Sequence, residues 1–273
     1  MVTHKGVRYL AADAHAHIYP EKIAEKATAS VGEFYGLEMA QTGLPAVLAK
    51  AGAAAGLDRF LVCSVATKAE QVPAINRFIA DTCREDPRFV GLAAWHPDVA
   101  DLEGGLDSLQ AQGLRGIKLH PDFQGFCLDS PTMLPFYRAA ARRGLPLLLH
   151  IGDPRGDASS PLRLARVLDK VPGLTCIAAH LGGYTQWQAA RNCLRGAGVY
   201  TDTSSSLPFL SREEALESIA CFGAERVMFG TDFPMWQAKQ ELARFFALGL
   251  PEEENRAILY GNFARLFGVD GHG

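Results

Sequence analysis

Apolar runs that end in a histidine or an aspartate recur along this chain at intervals of about 30 residues. His150 ends the run Leu-Pro-Leu-Leu-Leu-His, His180 ends Leu-Thr-Cys-Ile-Ala-Ala-His and Asp232 ends Val-Met-Phe-Gly-Thr-Asp. A short apolar run of this kind is typical of a strand that is buried on both faces. Since a strand, its crossover helix and two turns take about 30 residues, the interval predicts a repeated βα unit with polar side chains at the strand ends.

The same alternation of strand-like and helix-like patterns can be followed along the whole chain. Eight strands are predicted, at residues 8–17, 59–65, 89–96, 116–120, 146–150, 175–180, 199–203 and 226–232. Amphipathic helices are predicted at residues 68–85, 101–112, 133–143, 161–168, 186–195, 212–222 and 238–248, with a terminal helix at 252–267. Eight such units in 273 residues predict an α/β fold, a (β/α)8 TIM barrel in one domain over residues 1–273.

The segment between the first two strands is longer than one crossover requires. It predicts an extra helical segment after strand 1, around residues 32–56, that covers part of the barrel mouth.

Composition excludes several classes of function. The net charge of −3 offers no basic surface for nucleic acid. No apolar run approaches the roughly 20 residues that span a bilayer. The first residues lack the apolar core of a signal peptide, and the six cysteines form no CxxC pair. We therefore expect a cytoplasmic protein with reduced cysteines and a small-molecule substrate, without nucleic-acid or membrane partners. A homodimer is compatible with the sequence.

Histidines dominate the predicted strand ends. His15 and His17 are two residues apart in a predicted strand, so they share a face. Neutral imidazoles and a carboxylate around an open position are the ligands that a catalytic zinc ion prefers. Together with the other strand-end groups, this pair predicts a divalent metal site at the barrel mouth. The alternative is a set of core histidines satisfied by hydrogen bonds.

Several of these motifs resemble the amidohydrolase superfamily. They are Asp-Ala-His-Ala-His, the lone strand-end His150 and His180, Gly-Thr-Asp-Phe-Pro, Gly-Ile-Lys-Leu-His-Pro and the C-terminal Tyr-Gly-Asn-Phe-Ala-Arg-Leu-Phe. Within the superfamily the chain is similar to the amidohydrolase-related (amidohydrolase 2) branch, which includes aminocarboxymuconate-semialdehyde decarboxylase. The resemblance covers nearly the whole chain. It points to the fold and the metal and leaves the substrate open.

The resemblance implies roles for the strand-end residues. One divalent ion, with zinc as the expected metal, would be held by His15, His17, His150 and Asp232. Asp232 would also take a proton from the metal-bound water. His180 would either bind a second metal or act as an acid and electrostatic partner, and the sequence is compatible with both roles.

Lys118 carries a similar ambiguity. In two-metal members of the superfamily a lysine at this strand is carboxylated and bridges two ions. We favour the alternative, an unmodified lysine that contacts a substrate carboxylate, because this branch usually needs one metal. His120 shares the face of Lys118 and is a candidate for the second metal or the substrate. His96 ends the third strand, and for both histidines a hydrogen-bonded loop residue is the alternative.

Candidate substrate-binding residues with weaker sequence evidence follow the strand ends. Arg155 lies shortly after His150 and is expected to bind a substrate carboxylate, because a guanidinium matches that group with two hydrogen bonds. Asp202 is expected to be a structural carboxylate. The residues expected to form the wall of the pocket are Tyr19, Gln124, Phe126 and Trp236.

These features predict a metal-dependent hydrolase that directs an activated water at an amide or ester bond of a small carboxylated molecule. The first alternative is a decarboxylase or hydro-lyase of an aromatic or unsaturated acid, which needs the same ligands. The second is a non-catalytic metal-binding protein on the same fold.

Overall fold

Parallel strands follow one another around a closed barrel in the computed structural model, which describes residues 1–269. A hairpin of β1 (Val2–His4) and β2 (Val7–Tyr9) precedes it. The barrel strands are β3 (Ala12–His17), β4 (Arg59–Cys63), β5 (Phe89–Gly91) with β6 (Ala93–Ala94), β7 (Ile117–Leu119), β8 (Leu147–Leu149), β9 (Cys176–Ala178), β10 (Tyr200–Asp202) and β11 (Val227–Met228). The predicted (β/α)8 TIM barrel is confirmed.

Each neighbouring pair of barrel strands is parallel. The third strand position is divided between β5 and β6, and between them Leu92 donates its N–H to the Val62 carbonyl at 2.9 Å. The barrel closes where the Ala14 N–H donates to the Phe229 carbonyl at 2.8 Å. This contact brings the first and last strands together.

Helices cover the outside of the barrel. They are α1 (Glu21–Tyr35), α2 (Pro45–Ala55), α3 (Val72–Glu85), α4 (Leu102–Ala111), α5 (Pro121–Gln124), α6 (Leu134–Arg142), α7 (Pro161–Lys170), α8 (Trp187–Cys193), α9 (Arg212–Phe222), α10 (Ala238–Ala247), α11 (Glu252–Arg256) and α12 (Asn262–Phe267). Within residues 1–269, none of them combines the length and the apolar character needed to cross a membrane.

Alternation along the strands divides the core into two layers. In β8, Leu147 and Leu149 pack in the layer between strands and helices, whereas Leu148 belongs to the barrel interior. The interior cluster also includes Phe263 and Phe267 from α12. Lys118 pairs in register with Leu148, so its side chain shares the interior face. A lysine in this layer needs polar partners, which the barrel mouth supplies.

The first predicted strand, 8–17, was wrong in its bounds. Residues Val7–Tyr9 belong to the hairpin, and β3 begins at Ala12. The reason is a two-residue turn at Lys5 and Gly6, both of which have positive φ. Such a turn matches the twist of an antiparallel pair and commits the flanking residues to a hairpin.

The extra helical segment predicted after strand 1 is present, since α2 lies within residues 32–56, but the helix that covers the barrel mouth is α1. Two helices follow β3, and α1 ends at Gly36, which has the left-handed backbone of a helix C-cap. Helix α1 contributes the side chains that line the barrel mouth. Helix α2 serves as the crossover, and its Gly52 lies so close to the Phe60 ring that a Cβ would be 2.2 Å from a ring carbon.

Two later predictions also needed correction. The strand predicted at 226–232 is regular only over Val227–Met228, because the Phe229 N–H donates to the carbonyl of Ile258 in the terminal helical segment. The helix predicted at 252–267 is interrupted by a π-helical turn at Ala257–Gly261.

Asn262, directly after that turn, ties the terminal helix to the last strand. It is fully buried, and its side-chain amide donates to the carbonyls of Ala224 and Val227 at 2.7 and 2.6 Å. We expect Asn262→Ala to lower the free energy of unfolding by about 2 kcal/mol or more, because two buried carbonyls lose their donor. Urea unfolding measures the change.

The control for this variant is Asn192→Ala in α8, where the side chain is exposed. Its stability should stay within about 0.5 kcal/mol of the wild type. Equal losses of unfolding free energy in the two variants would show that the hydrogen bonds of Asn262 do not stabilise the contact between the terminal helix and the last strand.

Candidate metal centre

A cavity of about 300 Å³ opens at the carboxyl ends of the strands. Its wall combines polar strand-end groups with apolar side chains from α1 and the loops. The polar lining residues are His17, Ser30, Thr67, Lys118, His120, His150, His180, Ser205 and Asp232. The apolar and aromatic ones include Tyr19, Val31, Phe34, Tyr35, Met39, Phe123, Tyr184 and Met235. The predicted strand-end groups therefore lie around one space.

His15, His17 and Asp232 converge at the base of this cavity. The two Nε2 atoms are 3.2 Å apart. Asp232 Oδ1 is 3.6 Å from His15 Nε2 and 3.5 Å from His17 Nε2. Two nitrogens bound to one zinc ion at about 2.0–2.1 Å with tetrahedral angles would be about 3.3 Å apart. The spacing of these three groups therefore fits a shared divalent ion.

Hydrogen bonds on the far side of His15 fix its ring. Asp202 Oδ2 lies 3.1 Å from His15 Nδ1, and Ser204 Oγ lies 3.0 Å from the same atom. A carboxylate on the second ring nitrogen is the usual partner of a metal-binding histidine, because it orients the ring and raises its basicity. Asp202 thus has the orienting position expected of a structural carboxylate. For His17, the corresponding contact at Nδ1 is Cys63 Sγ at 3.7 Å.

The second carboxylate oxygen of Asp232, Oδ2, accepts a hydrogen bond that fixes the side chain. Ser205 donates to Asp232 Oδ2 at 2.6 Å, and Trp236 Nε1 donates to the Ser205 hydroxyl at 2.9 Å. Burial by itself would raise the pKa of the Asp232 carboxyl, but the imidazoles of His15, His180 and His17, when protonated, and the Ser205 hydroxyl lower it to about 2. Asp232 is therefore ionised at neutral pH and can accept a proton or bind a cation.

His180 and Asp232 share an unusual backbone conformation. Their φ angles are 63° and 58°, in the left-handed region that non-glycine residues rarely adopt. Such outliers persist where the surrounding structure enforces them, often at functional sites.

His150 contacts His180 and not the other three predicted ligands. His150 Nδ1 is 3.0 Å from His180 Nε2, and His180 Nδ1 is 3.1 Å from the Ser204 carbonyl. A carbonyl only accepts, so His180 Nδ1 carries the hydrogen and, in the neutral ring, His180 Nε2 accepts from His150 Nδ1. His150 Nε2 then carries no hydrogen, and its lone pair is available to a ligand. It is buried and has no hydrogen-bond partner among the described residues, as expected of a nitrogen kept for a ligand.

The buried imidazoles favour their neutral forms. Burial, and next the charge of Lys118, lower the pKa of His15 and His17, that of His17 to about 4. Burial lowers the pKa of His120 and His150 in the same way. Neutral imidazole is the form that binds a metal, so the site is prepared for one without a proton having to leave.

Lys118 reaches the same centre from the barrel interior. Its Nζ lies 3.1 Å from His15 Nε2, and the residue is 1% exposed. Burial lowers the pKa of the ammonium group, and nearby acidic groups offset part of that shift. The position suits both a charge partner for a substrate anion and a bridging carboxylated lysine, so the preference for the unmodified form remains a prediction.

Other predicted residues lie further out. Arg155 pairs with Asp153 and donates to the carbonyl of Phe34, so its guanidinium is already engaged outside the cavity wall. Trp236 acts through Ser205, and Tyr19 lines the cavity. Phe126 packs against the core, and Gln124 donates to the carbonyls of Ala66 and Trp95. His96 contacts Asp98 and is not among the lining residues.

The sequence did not single out Ser204, Ser205 or Tyr35. The serines follow Asp202 in Thr-Asp-Thr-Ser-Ser-Ser, and their position after a strand end was a usable signal. Tyr35 lies in α1 and reaches the site only because that helix folds over the barrel mouth. Its hydroxyl is 2.8 Å from His120 Nε2.

Comparisons with known proteins agree with this architecture. A profile of the family described as Amidohydrolase matches residues 12–269. None of the curated proteins compared with the chain matches it. At identities as low as those of the solved structures below, likeness shows the fold alone.

Three solved structures illustrate the likeness. The 5-carboxyvanillate decarboxylase of Sphingomonas paucimobilis is 16% identical with a TM-score of 0.73, over 96% of this chain and 100% of that one. A dihydroxybenzoic acid decarboxylase of a Polaromonas species, with bound manganese and the inhibitor 2-nitroresorcinol, is 16% identical with a TM-score of 0.75, over 97% and 98%. A Pseudomonas putida protein assigned as a 2-pyrone-4,6-dicarboxylic acid hydrolase is 19% identical with a TM-score of 0.69, over 97% and 100%.

The convergence of His15 and His17 predicts metal dependence. The double variant His15→Ala, His17→Ala should lose most of its bound divalent metal, because each imidazole would be a direct ligand. Elemental analysis of the purified proteins measures occupancy per chain. His96→Ala is the matched control, since this strand-end histidine lies outside the cluster. Full occupancy in the double variant would rule out this site.

Asp202 should act on metal affinity through His15. We expect Asp202→Asn to weaken metal binding about 10- to 100-fold, because the ring loses the carboxylate that orients it. Competition with a chelator measures the affinity. Asp153→Asn, which alters a buried carboxylate paired with Arg155, should bind metal as the wild type does. If the two variants bind metal equally well, Asp202 has no orienting role.

Proposed function

The chain belongs to the amidohydrolase family, and we propose that it is a metal-dependent decarboxylase of a small aromatic acid. The observation that carries this proposal is the distribution of charge in the cavity. Of the described residues that line it, Lys118 is the one lysine or arginine, and it lies beside the candidate ligand His15. Much of the remaining wall is aromatic or apolar. This arrangement suits a planar molecule with one carboxylate at the metal end.

The aromatic wall also favours an aromatic substrate. Phe34, Phe123 and Tyr184 present ring surfaces to the cavity, and an aryl substrate gains from contact with such rings. Two of the solved structures similar to this chain are decarboxylases of aromatic acids.

The chain's own residues supply the proton transfer. His180 Nδ1 faces a carbonyl, so Nε2 is the ring atom through which a proton reaches the cavity. In the proposed step His180 is first protonated at Nε2, which displaces the hydrogen bond from His150 Nδ1, and this proton then moves from His180 Nε2 to the ring carbon of the substrate. The bond to the carboxylate carbon breaks, its electron pair stays with the ring and carbon dioxide leaves. Lys118 holds the carboxylate, and Asp232, ionised at neutral pH, offsets the charge of the protonated imidazole.

The cofactor in this proposal is one divalent ion, which His15, His17 and Asp232 would hold with His150 as the fourth group. A bound ion would supply positive charge that polarises a coordinated substrate oxygen. The nitrogen-rich ligand set led us to expect zinc, whereas the Polaromonas decarboxylase contains manganese. Both metals therefore belong in the tests.

Hydrolysis is the second candidate. Asp232 is positioned to take a proton from a water between the candidate ligands, and one similar structure is assigned as a pyrone dicarboxylic acid hydrolase. A dicarboxylate would, however, leave its second carboxylate without a lysine or arginine among the described lining residues. We therefore rank hydrolysis below decarboxylation and reverse the order that the sequence suggested.

A substrate panel tests the proposal. Protein loaded with manganese or with zinc is incubated with carboxyl-labelled benzoates, hydroxybenzoates and 5-carboxyvanillate, and release of labelled carbon dioxide is measured. We expect release from at least one aromatic acid, reduced about 10²- to 10⁴-fold in His180→Asn with the metal retained, because general acid catalysis is lost.

The same proteins are assayed for opening of 2-pyrone-4,6-dicarboxylate. Pyrone opening without carbon dioxide release would favour the hydrolase. No turnover of any compound by metal-loaded protein would favour a metal-binding protein without catalysis.

A further inference from the structure

His120 is fixed between two rings at the cavity wall. Its imidazole stacks on Phe123 with centroids 3.8 Å apart and on His150 with centroids 3.9 Å apart. The interplanar angles are 3° and 8°. Because both faces are covered, the ring plane cannot tilt and only its edge is free to make hydrogen bonds.

The hydrogen bonds along that edge define where the ring hydrogen lies. The backbone N–H of Phe123 points to His120 Nδ1 at 3.4 Å, as the side-chain cap of α5. A backbone N–H can only donate, so Nδ1 is the acceptor nitrogen. A neutral imidazole carries one ring hydrogen, which must then be on Nε2. His120 Nε2 therefore donates to the Tyr35 hydroxyl oxygen at 2.8 Å.

This direction leaves the hydrogen of the Tyr35 hydroxyl unused by His120. A phenol oxygen accepts one hydrogen bond and can still donate its own. Tyr35 lines the cavity, and its ring also contacts His150 and Tyr184, with centroids 6.2 and 5.6 Å away. The free O–H is therefore available to a molecule bound between the aromatic walls.

A separate contact holds Tyr35 in place. Arg155, which pairs with the buried Asp153, donates to the carbonyl of Phe34, and its guanidinium carbon lies 3.5 Å from the centre of the Phe34 ring. These interactions attach the last turn of α1 to the loop after β8. A donor that is fixed before binding costs little ordering entropy when the ligand arrives.

We propose that Tyr35 is a specificity-determining residue whose hydroxyl donates a hydrogen bond to an oxygen substituent of the substrate. The inference rests on the proposed function, because it places an aromatic acid in the cavity. It narrows the substrate class to aromatic acids that carry an acceptor oxygen, such as a hydroxyl, an ether or a carbonyl, on the side facing α1. An acid without such an oxygen would leave the Tyr35 O–H unpaired.

Direct binding to metal-loaded protein tests this inference without turnover. Calorimetry compares benzoate, the three hydroxybenzoates and the three methoxybenzoates. A methoxy oxygen accepts but cannot donate, so it reports the direction of the Tyr35 hydrogen bond. We expect the wild type to bind at least one methoxybenzoate about tenfold more tightly than benzoate. Tyr35→Phe should lose this preference and keep its benzoate affinity within about twofold.

Two further sets of variants separate the hydrogen bond from general damage to the cavity. Tyr184→Phe, which removes a neighbouring hydroxyl, should keep the methoxy preference. His120→Asn preserves an acceptor for the Phe123 N–H but no longer reaches Tyr35, so it should lose the preference. His120→Gln retains an N–H near the position of Nε2 and should restore it at least in part.

The outcomes distinguish this inference from the proposed function. Binding of benzoates with an oxygen preference that survives Tyr35→Phe overturns the role of Tyr35 alone. A preference for hydroxy over methoxy isomers overturns it as well, since Tyr35 would then be an acceptor. No binding of any benzoate to metal-loaded protein overturns both the inference and the aromatic-acid function.

Discussion

Closure of the barrel between its first and last strands is the constraint on which the site depends. Asp13 is fully buried, and its carboxylate accepts from the backbone N–H groups of His15 and Thr231 at 3.1 and 2.9 Å. The Asp232 N–H donates to the His15 carbonyl at 2.8 Å. One carboxylate and one backbone hydrogen bond thus bring together residues more than 200 positions apart, and these carry two of the candidate ligands. Burial raises the pKa of Asp13 to about 7, even though the Thr231 hydrogen bonds lower it.

The electrostatics of the cavity follow from how few of its groups are charged. Burial favours the neutral forms of His15, His17, His120 and His150, so Lys118 and Asp232 provide the fixed charges closest to the candidate ligands. Each is near His15, with Lys118 Nζ at 3.1 Å and Asp232 Oδ1 at 3.6 Å from Nε2. Because a buried site has a lower effective dielectric constant than water, these charges act more strongly on a bound anion or cation than they would in bulk solvent. The site can therefore hold a metal and one carboxylate at the same end.

The opposite end of the cavity has a different chemistry. Helix α1 and the loop after β7 contribute Phe34, Tyr35 and Phe123, which form a largely apolar wall. Arg155, expected to bind the substrate, instead fastens α1 to the loop after β8. Its pairing with Asp153 explains the change, because a guanidinium already engaged by a buried carboxylate has little left to offer a ligand. The proposed function therefore divides specificity between charge at the metal end and, at the mouth, ring contacts together with the Tyr35 hydroxyl.

The sequence by itself determined the barrel, the convergence of His15 and His17, and the positions of Lys118, His180 and Asp232 at strand ends. These follow from local periodicity: residues two apart share a strand face, and units of about 30 residues return the chain to the same rim. The hairpin at the N-terminus, the cover formed by α1, the His150–His180 contact and the hydrogen bond between Tyr35 and His120 were decided by the tertiary structure. Each depends on which distant segments pack together, and neither side-chain alternation nor spacing along the chain carries that information. The proposal of decarboxylation over hydrolysis also rests on the tertiary structure, because the two reactions use the same ligands and the proposal depends on the walls that the folded chain places around them.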